Sequence, residues 1–178
     1  PSYDCRDDTT PRDGSEDSFP AGGNARQMPD LMDTYIENRK MIQPNHANNL
    51  DTTHGGNVLK WMDEVGAMSA IRFAGSDVLT ARMEQTNFRG PIPVGENALI
   101  ESYVYETGDT SMRVRVRTFR EDLRTAETEL TTESHLVYVA IDEDFEPRSV
   151  PELTVSSERG EELRRAALEN DENNDHGE

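Results

Sequence analysis

Asp63 lies four residues after Leu59 and three before Gly66 in the stretch GNVLKWMDEVGAMSAIRFAG, residues 56 to 75. At helical spacing it therefore falls beside a stripe of small and apolar positions. A carboxylate carried toward an apolar surface is costly unless it is hydrogen-bonded. Three outcomes are open: a structural hydrogen bond, a rim position reached by water, or service as a general base or nucleophile. His54, Gly55 and Gly56 stand just before this helix. There the first-turn amides lack intrahelical partners and the helix dipole favours negative charge, so a substrate carbonyl becoming an oxyanion could be held. An ordinary loop-to-helix turn would use the same residues. Upstream, Asn45, His46, Asn48 and Asn49 can orient a water or a carbonyl, or can simply make turns.

A second set of polar residues alternates along SMRVRVRTFR, residues 111 to 120, with Arg113, Arg115 and Arg117 on one face. With a hairpin turn centred on Asp122, these arginines face Thr131, Glu129 and Glu127, so the row serves either cross-strand ion pairs or phosphate binding. His54 and His135 are the histidines considered as metal ligands, and neither has a partner at familiar ligand spacing, so no metal is expected. No nucleophile elbow, P-loop, dinucleotide fingerprint or Ser/His/Asp arrangement can be read.

The elements that must hold these residues follow from periodicity. Leu59, Met62, Gly66, Ala70 and Phe73 share one side of a helix that Gly75 is placed to stop. A first strand follows an irregular start and ends before Pro44. Four further strands are predicted over residues 78 to 88, 97 to 106, 111 to 120 and 125 to 141, with GPIPVG at 90 to 95 interrupting the first two. One central helix against an antiparallel sheet leaves part of the sheet uncovered, which predicts at least a homodimer.

Composition sets the limits. The chain has 178 residues and a net charge of -18, and Lys40 and Lys60 are its only lysines. Such a surface resists association when salt screens repulsion, which reads as adaptation to a salt-rich, cytoplasmic setting of a halophilic microbe. It excludes a general nucleic-acid-binding face, although a local arginine pocket for phosphate is allowed. Cys5 is the only cysteine, so an internal disulfide is excluded. No apolar run is long enough for a membrane span. Three regions are expected: a disordered acidic leader over 1–27, a folded domain over 28–155, and a charged helix with a frayed tail over 156–178.

The order of Asn48, HGG at 54 to 56, MDE at 62 to 64, NF at 87 and 88, the Pro91-Ile92 pair, and TGDTSM leading into the arginine strand resembles the hotdog-fold acyl-CoA thioesterases, in particular their cytosolic acyl-CoA hydrolase branch. The resemblance covers roughly residues 34 to 142. It implies an α+β hotdog fold, a curved antiparallel sheet wrapped around one long helix, with active sites completed between two copies and further pairing toward a hexamer.

By the same resemblance, Asp63 is the catalytic carboxylate, acting as general base or nucleophile, and Asn48 works beside the partner chain's carboxylate. Gly56 with Gly55, next to His54, forms the oxyanion site. Coenzyme A enters as part of the substrate, with no separate cofactor, and its phosphates fall to Arg82, Arg89, Arg113 and Arg115, with Ser111 at the start of the arginine strand. Two other readings use the same pocket: a hotdog enoyl-CoA hydratase or dehydratase with His46 or His54 as acid/base, and a non-catalytic acyl-CoA sensing module.

Overall fold

The computed structural model describes residues 28–175, with side chains up to Glu169. The leader expected over 1–27, with Cys5, and residues 176–178 of the expected tail lie outside the described residues. A short 3-10 helix, Leu31–Thr34, is capped by Asp30, whose side chain accepts from the Met32 amide at 3.0 Å. Strand β1, Ile36–Met41, follows it. Helix α1 runs Gly55–Ala74 and stops at Gly75, whose backbone is left-handed with φ 63° and whose N–H caps Ile71.

The strands are β2 Val78–Met83, β3 Asn87–Phe88, β4 Asn97–Thr107, β5 Ser111–Glu121 and β6 Thr128–Ala140. They form one six-stranded sheet in the order β1-β4-β5-β6-β2, with β3 pairing β6 beyond the end of β2. Every named pairing is antiparallel. The fold is the expected α+β hotdog arrangement, a sheet around one long helix.

The inner face of the sheet meets α1. Met112, Val114 and Val116 of β5 and Leu136, Tyr138 and Ala140 of β6 pack with Val58, Trp61, Met62, Val65, Ala70 and Phe73 of the helix. Small residues on α1 let it approach closely: Gly66 sits against β5 and β6, and Ser69 hydrogen-bonds the Thr34 carbonyl at 2.8 Å and Ser102 at 2.6 Å. Ser102 in turn donates to the Val65 carbonyl at 3.0 Å, so both of these serine hydroxyls have partners.

The outer face carries the alternate residues. Helix α2, Glu158–Asp175, packs there, with Leu163 and Ala167 against Tyr103, Tyr105 and Leu31. The Tyr103 hydroxyl donates to the Leu163 carbonyl at 3.0 Å, and Arg164 donates to the Tyr105 carbonyl at 3.2 Å. The helix expected over 156 to 170 thus continues to Asp175 and covers part of the sheet.

Two strand expectations need correction. The single strand expected over 78 to 88 is two, β2 and β3. Its register on β6 shifts between Thr80 and Arg82, a bulge that changes which residues face the helix. Val78 and Met83 pack on the inner core while Arg82 turns outward to Glu84.

The strand expected from 125 begins at Thr128, because Asp122 organises a longer loop. Its carboxylate accepts from the Arg124 and Thr125 amides at 2.7 and 3.1 Å, its N–H donates to the Glu127 carbonyl at 3.0 Å, and Ala126 adopts φ 58°. The register therefore moves: Arg113, Arg115 and Arg117 pair with Val137, His135 and Glu133, not with Thr131, Glu129 and Glu127.

Candidate active site

Asp63 projects from the middle of α1 toward the β2 edge, half-buried. Thr80 of β2 donates to its Oδ1 at 2.7 Å. Tyr138 of β6 reaches under the helix, donating to the Asp63 carbonyl at 2.9 Å, with its hydroxyl 3.2 Å from the same Oδ1. Among the described residues, Oδ2 accepts no hydrogen bond, so one carboxylate oxygen is anchored and the other is open to take a proton. Burial, with the Asp63 charge second, pushes the Tyr138 phenol far above its ordinary range, so it is a hydrogen-bond donor at any working pH.

His54 is the N-cap of α1. Its Nδ1 accepts from the Gly56 N–H at 3.0 Å, and its carbonyl accepts from Asn57 at 2.9 Å. This bears on the expected oxyanion site, because the Gly56 N–H is already engaged by a side chain. Gly55 N–H has no hydrogen-bond partner among the described residues, so it is the donor left over at the helix start. The Phe88 ring lies beside it, since a Cβ on Gly55 would come within 3.6 Å of that ring.

Asn48 serves its own loop within this chain. Its Oδ1 accepts from the Leu50 amide at 2.9 Å and the Thr52 amide at 3.3 Å, and its Nδ2 donates to Thr52 at 3.0 Å. These bonds hold a turn in which Asp51 has φ 54°. None of them reaches Asp63. His46 is likewise occupied: Nδ1 accepts from the Gln43 amide at 3.1 Å, and the ring stands edge-on to Trp61 with centroids 5.1 Å apart.

The structure does not bring the phosphate candidates to Asp63. Ser111, Arg113 and Arg115 project from the outer face of β5, with the sheet between them and α1. Arg115 is only 4% exposed and is held by Glu133, its Nε at 2.7 Å, and by the Tyr103 hydroxyl at 3.1 Å. A buried guanidinium so engaged is a structural ion pair, which corrects the expectation that it binds phosphate. Arg113 pairs with Glu84 at 2.8 Å and Glu106 at 3.6 Å. Ser111 sits in the turn where its carbonyl accepts from Gly108 at 2.9 Å. Arg82 and Arg89 keep about two-thirds and half of their side chains exposed, although Arg82 bonds Glu84 at 2.6 Å and Arg89 reaches Glu133 at 3.5 Å.

His135 is buried beneath this outer layer, with Nδ1 2.9 Å from the Tyr105 hydroxyl. Burial, then Arg115, pulls its pKa down to about 4, so the ring is neutral at neutral pH. Among the described residues, no group of three or more His, Cys, Asp or Glu could hold a metal ion. Among the same residues, no helix is long and apolar enough to cross a membrane.

Thr80 and Tyr138 are the site residues that the sequence reading missed. Thr80 carried a readable signal, its place on a strand that must flank the helix, but the bulge obscured which side it faces. Tyr138 alternates with core residues and looks like one.

The family model of the thioesterase superfamily matches residues 50–127. A Bacillus subtilis protein named as an acyl-CoA thioester hydrolase is 33% identical over 128 residues, covering 72% of this chain and 74% of that one. A hexameric acyl-CoA thioesterase crystallised in its apo form superposes with a TM-score of 0.74 at 35% identity, over 83% of this chain and 94% of the other. An acyl-CoA hydrolase of Staphylococcus aureus, solved with butyryl coenzyme A and coenzyme A, gives 0.75 at 25% identity, over 83% and 90% of the chains. Structures of that hydrolase carry alanine in place of an asparagine, an aspartate and a threonine whose sequence separations equal those of Asn48, Asp63 and Thr80 here. Several mammalian relatives are longer, and this chain spans about a quarter of their length.

Proposed function

Because the chain belongs to the thioesterase superfamily of hotdog-fold proteins, we propose that it hydrolyses acyl-CoA to a free carboxylic acid and CoA at a site built on Asp63. The observation that carries this reading is the asymmetric anchoring of the carboxylate, with Oδ1 fixed by Thr80 and Tyr138 and Oδ2 open. Oδ2 takes a proton from water as the water oxygen bonds to the thioester carbonyl carbon. The carbonyl oxygen gains negative charge, and the Gly55 N–H at the start of α1 is the donor available to it. Collapse breaks the carbon–sulfur bond and CoA leaves as its thiol, taking the proton from Asp63.

Asn48 completes the site from a second copy, orienting the water. The apolar side chains of Met68 and Ile71 on α1 and Leu79 on β2 are exposed, and β2 is an edge strand of the sheet. A second copy docking there covers them and pairs an otherwise unpaired edge. Further association to a hexamer accords with the hexameric relative. Arg82 and Arg89, exposed at the β2 and β3 side, are the cations that CoA phosphates bound by an oligomer would meet. The charge of -18 with so little lysine fits work in a salt-rich cytoplasm.

Thiol release from a panel of acyl-CoA esters in molar KCl tests the reading. Wild type should turn over, and Asp63→Ala and Asn48→Ala should lose turnover with fold and oligomer retained. Binding without thiol release from any ester would refute hydrolysis and favour a sensing role.

A further inference from the structure

Tyr138 anchors Asp63 Oδ1 in the mechanism above, and Gly66 is the helix position that its phenol must pass to get there. The Tyr138 ring crosses from β6 beneath α1, buried completely, and its hydroxyl arrives at both the main-chain carbonyl and the carboxylate of Asp63. It can do so only because the residue one turn on from Asp63 has no side chain. A Cβ at Gly66 would stand 2.5 Å from the Tyr138 hydroxyl, 3.3 Å from its ring and 3.2 Å from Val116 Cγ2. Helical glycine is unfavourable relative to alanine by about 1 kcal/mol. Its presence at the centre of the long helix therefore needs a reason, and the phenol supplies one.

We propose that Tyr138 is a positioning residue for Asp63, and that Gly66 is the gap in the helix that admits it. The inference rests on the hydrolysis reading and adds to it how the carboxylate is aimed. Thr80 approaches Oδ1 from the exposed side, and Tyr138 approaches it from the core. Two hydroxyls on one oxygen fix the carboxylate plane and direct Oδ2 outward. The bond to the Asp63 carbonyl ties the same phenol to the helix backbone, so backbone and carboxylate are held by one group.

The test compares Tyr138→Phe, Gly66→Ala and the double variant, reading kcat and KM by thiol release and stability by urea unfolding. Loss of a hydrogen bond to a charged group corresponds to about tenfold or more in rate. Tyr138→Phe should lower kcat by about that factor with KM unchanged, since the effect acts through Asp63 and not through substrate contact. Gly66→Ala should lower kcat by displacing the phenol. In the Tyr138→Phe background the alanine should cost no further kcat and should destabilise less than it does in the wild type, because the oxygen it would strike is gone.

Wild-type kcat in Tyr138→Phe, or kcat losses that multiply in the double variant, would overturn the proposal while leaving hydrolysis standing. A loss confined to KM or to the unfolding midpoint would also overturn it, assigning Tyr138 to packing alone. A folded wild type that releases no thiol would remove the hydrolysis reading and the positioning role with it.

Discussion

Replacing Thr80 by valine removes one hydroxyl at nearly constant volume from a strand residue whose shape the β2 edge tolerates. The hydroxyl lies 2.7 Å from Asp63 Oδ1 and is exposed. Hydrogen bonds to charged groups contribute about 1.5–3 kcal/mol, with exposure placing this one near the lower value. Tyr138 remains 3.2 Å from the same oxygen and retains part of the restraint. The expected loss is therefore about 1.4 kcal/mol of transition-state stabilisation, a tenfold fall in kcat. Thr80→Val should change KM little and shift stability by no more than about 0.5 kcal/mol, as exposed sites do. Steady-state thiol release with a chromogenic thiol reagent gives both constants. In an Asp63→Ala background the substitution should do nothing more, because the group it orients is absent. A rise in KM with unchanged kcat would refute the reasoning and assign Thr80 to substrate binding.

Other expectations follow from the outer face and the helix cap. Arg115→Met leaves Glu133 buried without its main partner and should destabilise by about 3 kcal/mol or more, whereas Arg115→Met with Glu133→Leu should recover much of that loss in urea unfolding. His135 has a folded pKa of about 4 against the ordinary histidine value of 6.5. The unfolded chain therefore binds the proton first, and stability should fall as pH drops from 6.5 toward 4, by at most about 3 kcal/mol. Unfolding midpoints of wild type and His135→Gln in the upper part of that window should show the slope in wild type alone. The carboxylates of Glu84, Glu121 and Asp30, whose pKa values are lowered on folding from 4.5, 4.5 and 3.8, lose their contribution as pH falls below about 5 and overlap only the acid end of this window, so the histidine slope is read between pH 6.5 and about 5. His54→Ala removes the N-cap of α1 and should cost about 1 kcal/mol of stability. With Gly55 as the oxyanion donor, its kcat should stay close to wild type. A collapse of kcat would give His54 a direct part in the chemistry.

The sequence made the frame legible where local chemistry decides. The apolar period from Leu59 to Phe73 and the stop at Gly75 identify α1, and strict alternation identifies β5. Legibility failed where a distant contact decides. Asp122 lengthens a loop by gathering amides, which moved the arginine row by several positions and exchanged its expected partners. Arg115 reads as a surface cation in an alternating strand, but burial beside Tyr103 and Glu133 makes it a structural group. Asp63 could be singled out from its spacing alone. Thr80 and Tyr138, which orient it, come from strands 17 and 75 residues away in sequence. The Gly56 amide looked available because nothing in the sequence says that the preceding histidine turns back to cap it.

The claim that one site draws Asp63 from one subunit and Asn48 from the next is tested most directly by coexpressing Asp63→Ala with Asn48→Ala. Each variant alone should be inactive. In a mixed dimer one site carries both defects and the other carries neither, so random pairing should restore about a quarter of wild-type thiol release per subunit under two-fold symmetry. Mixed dimers as inactive as the separate variants would contradict the shared site and confine the chemistry to a single chain.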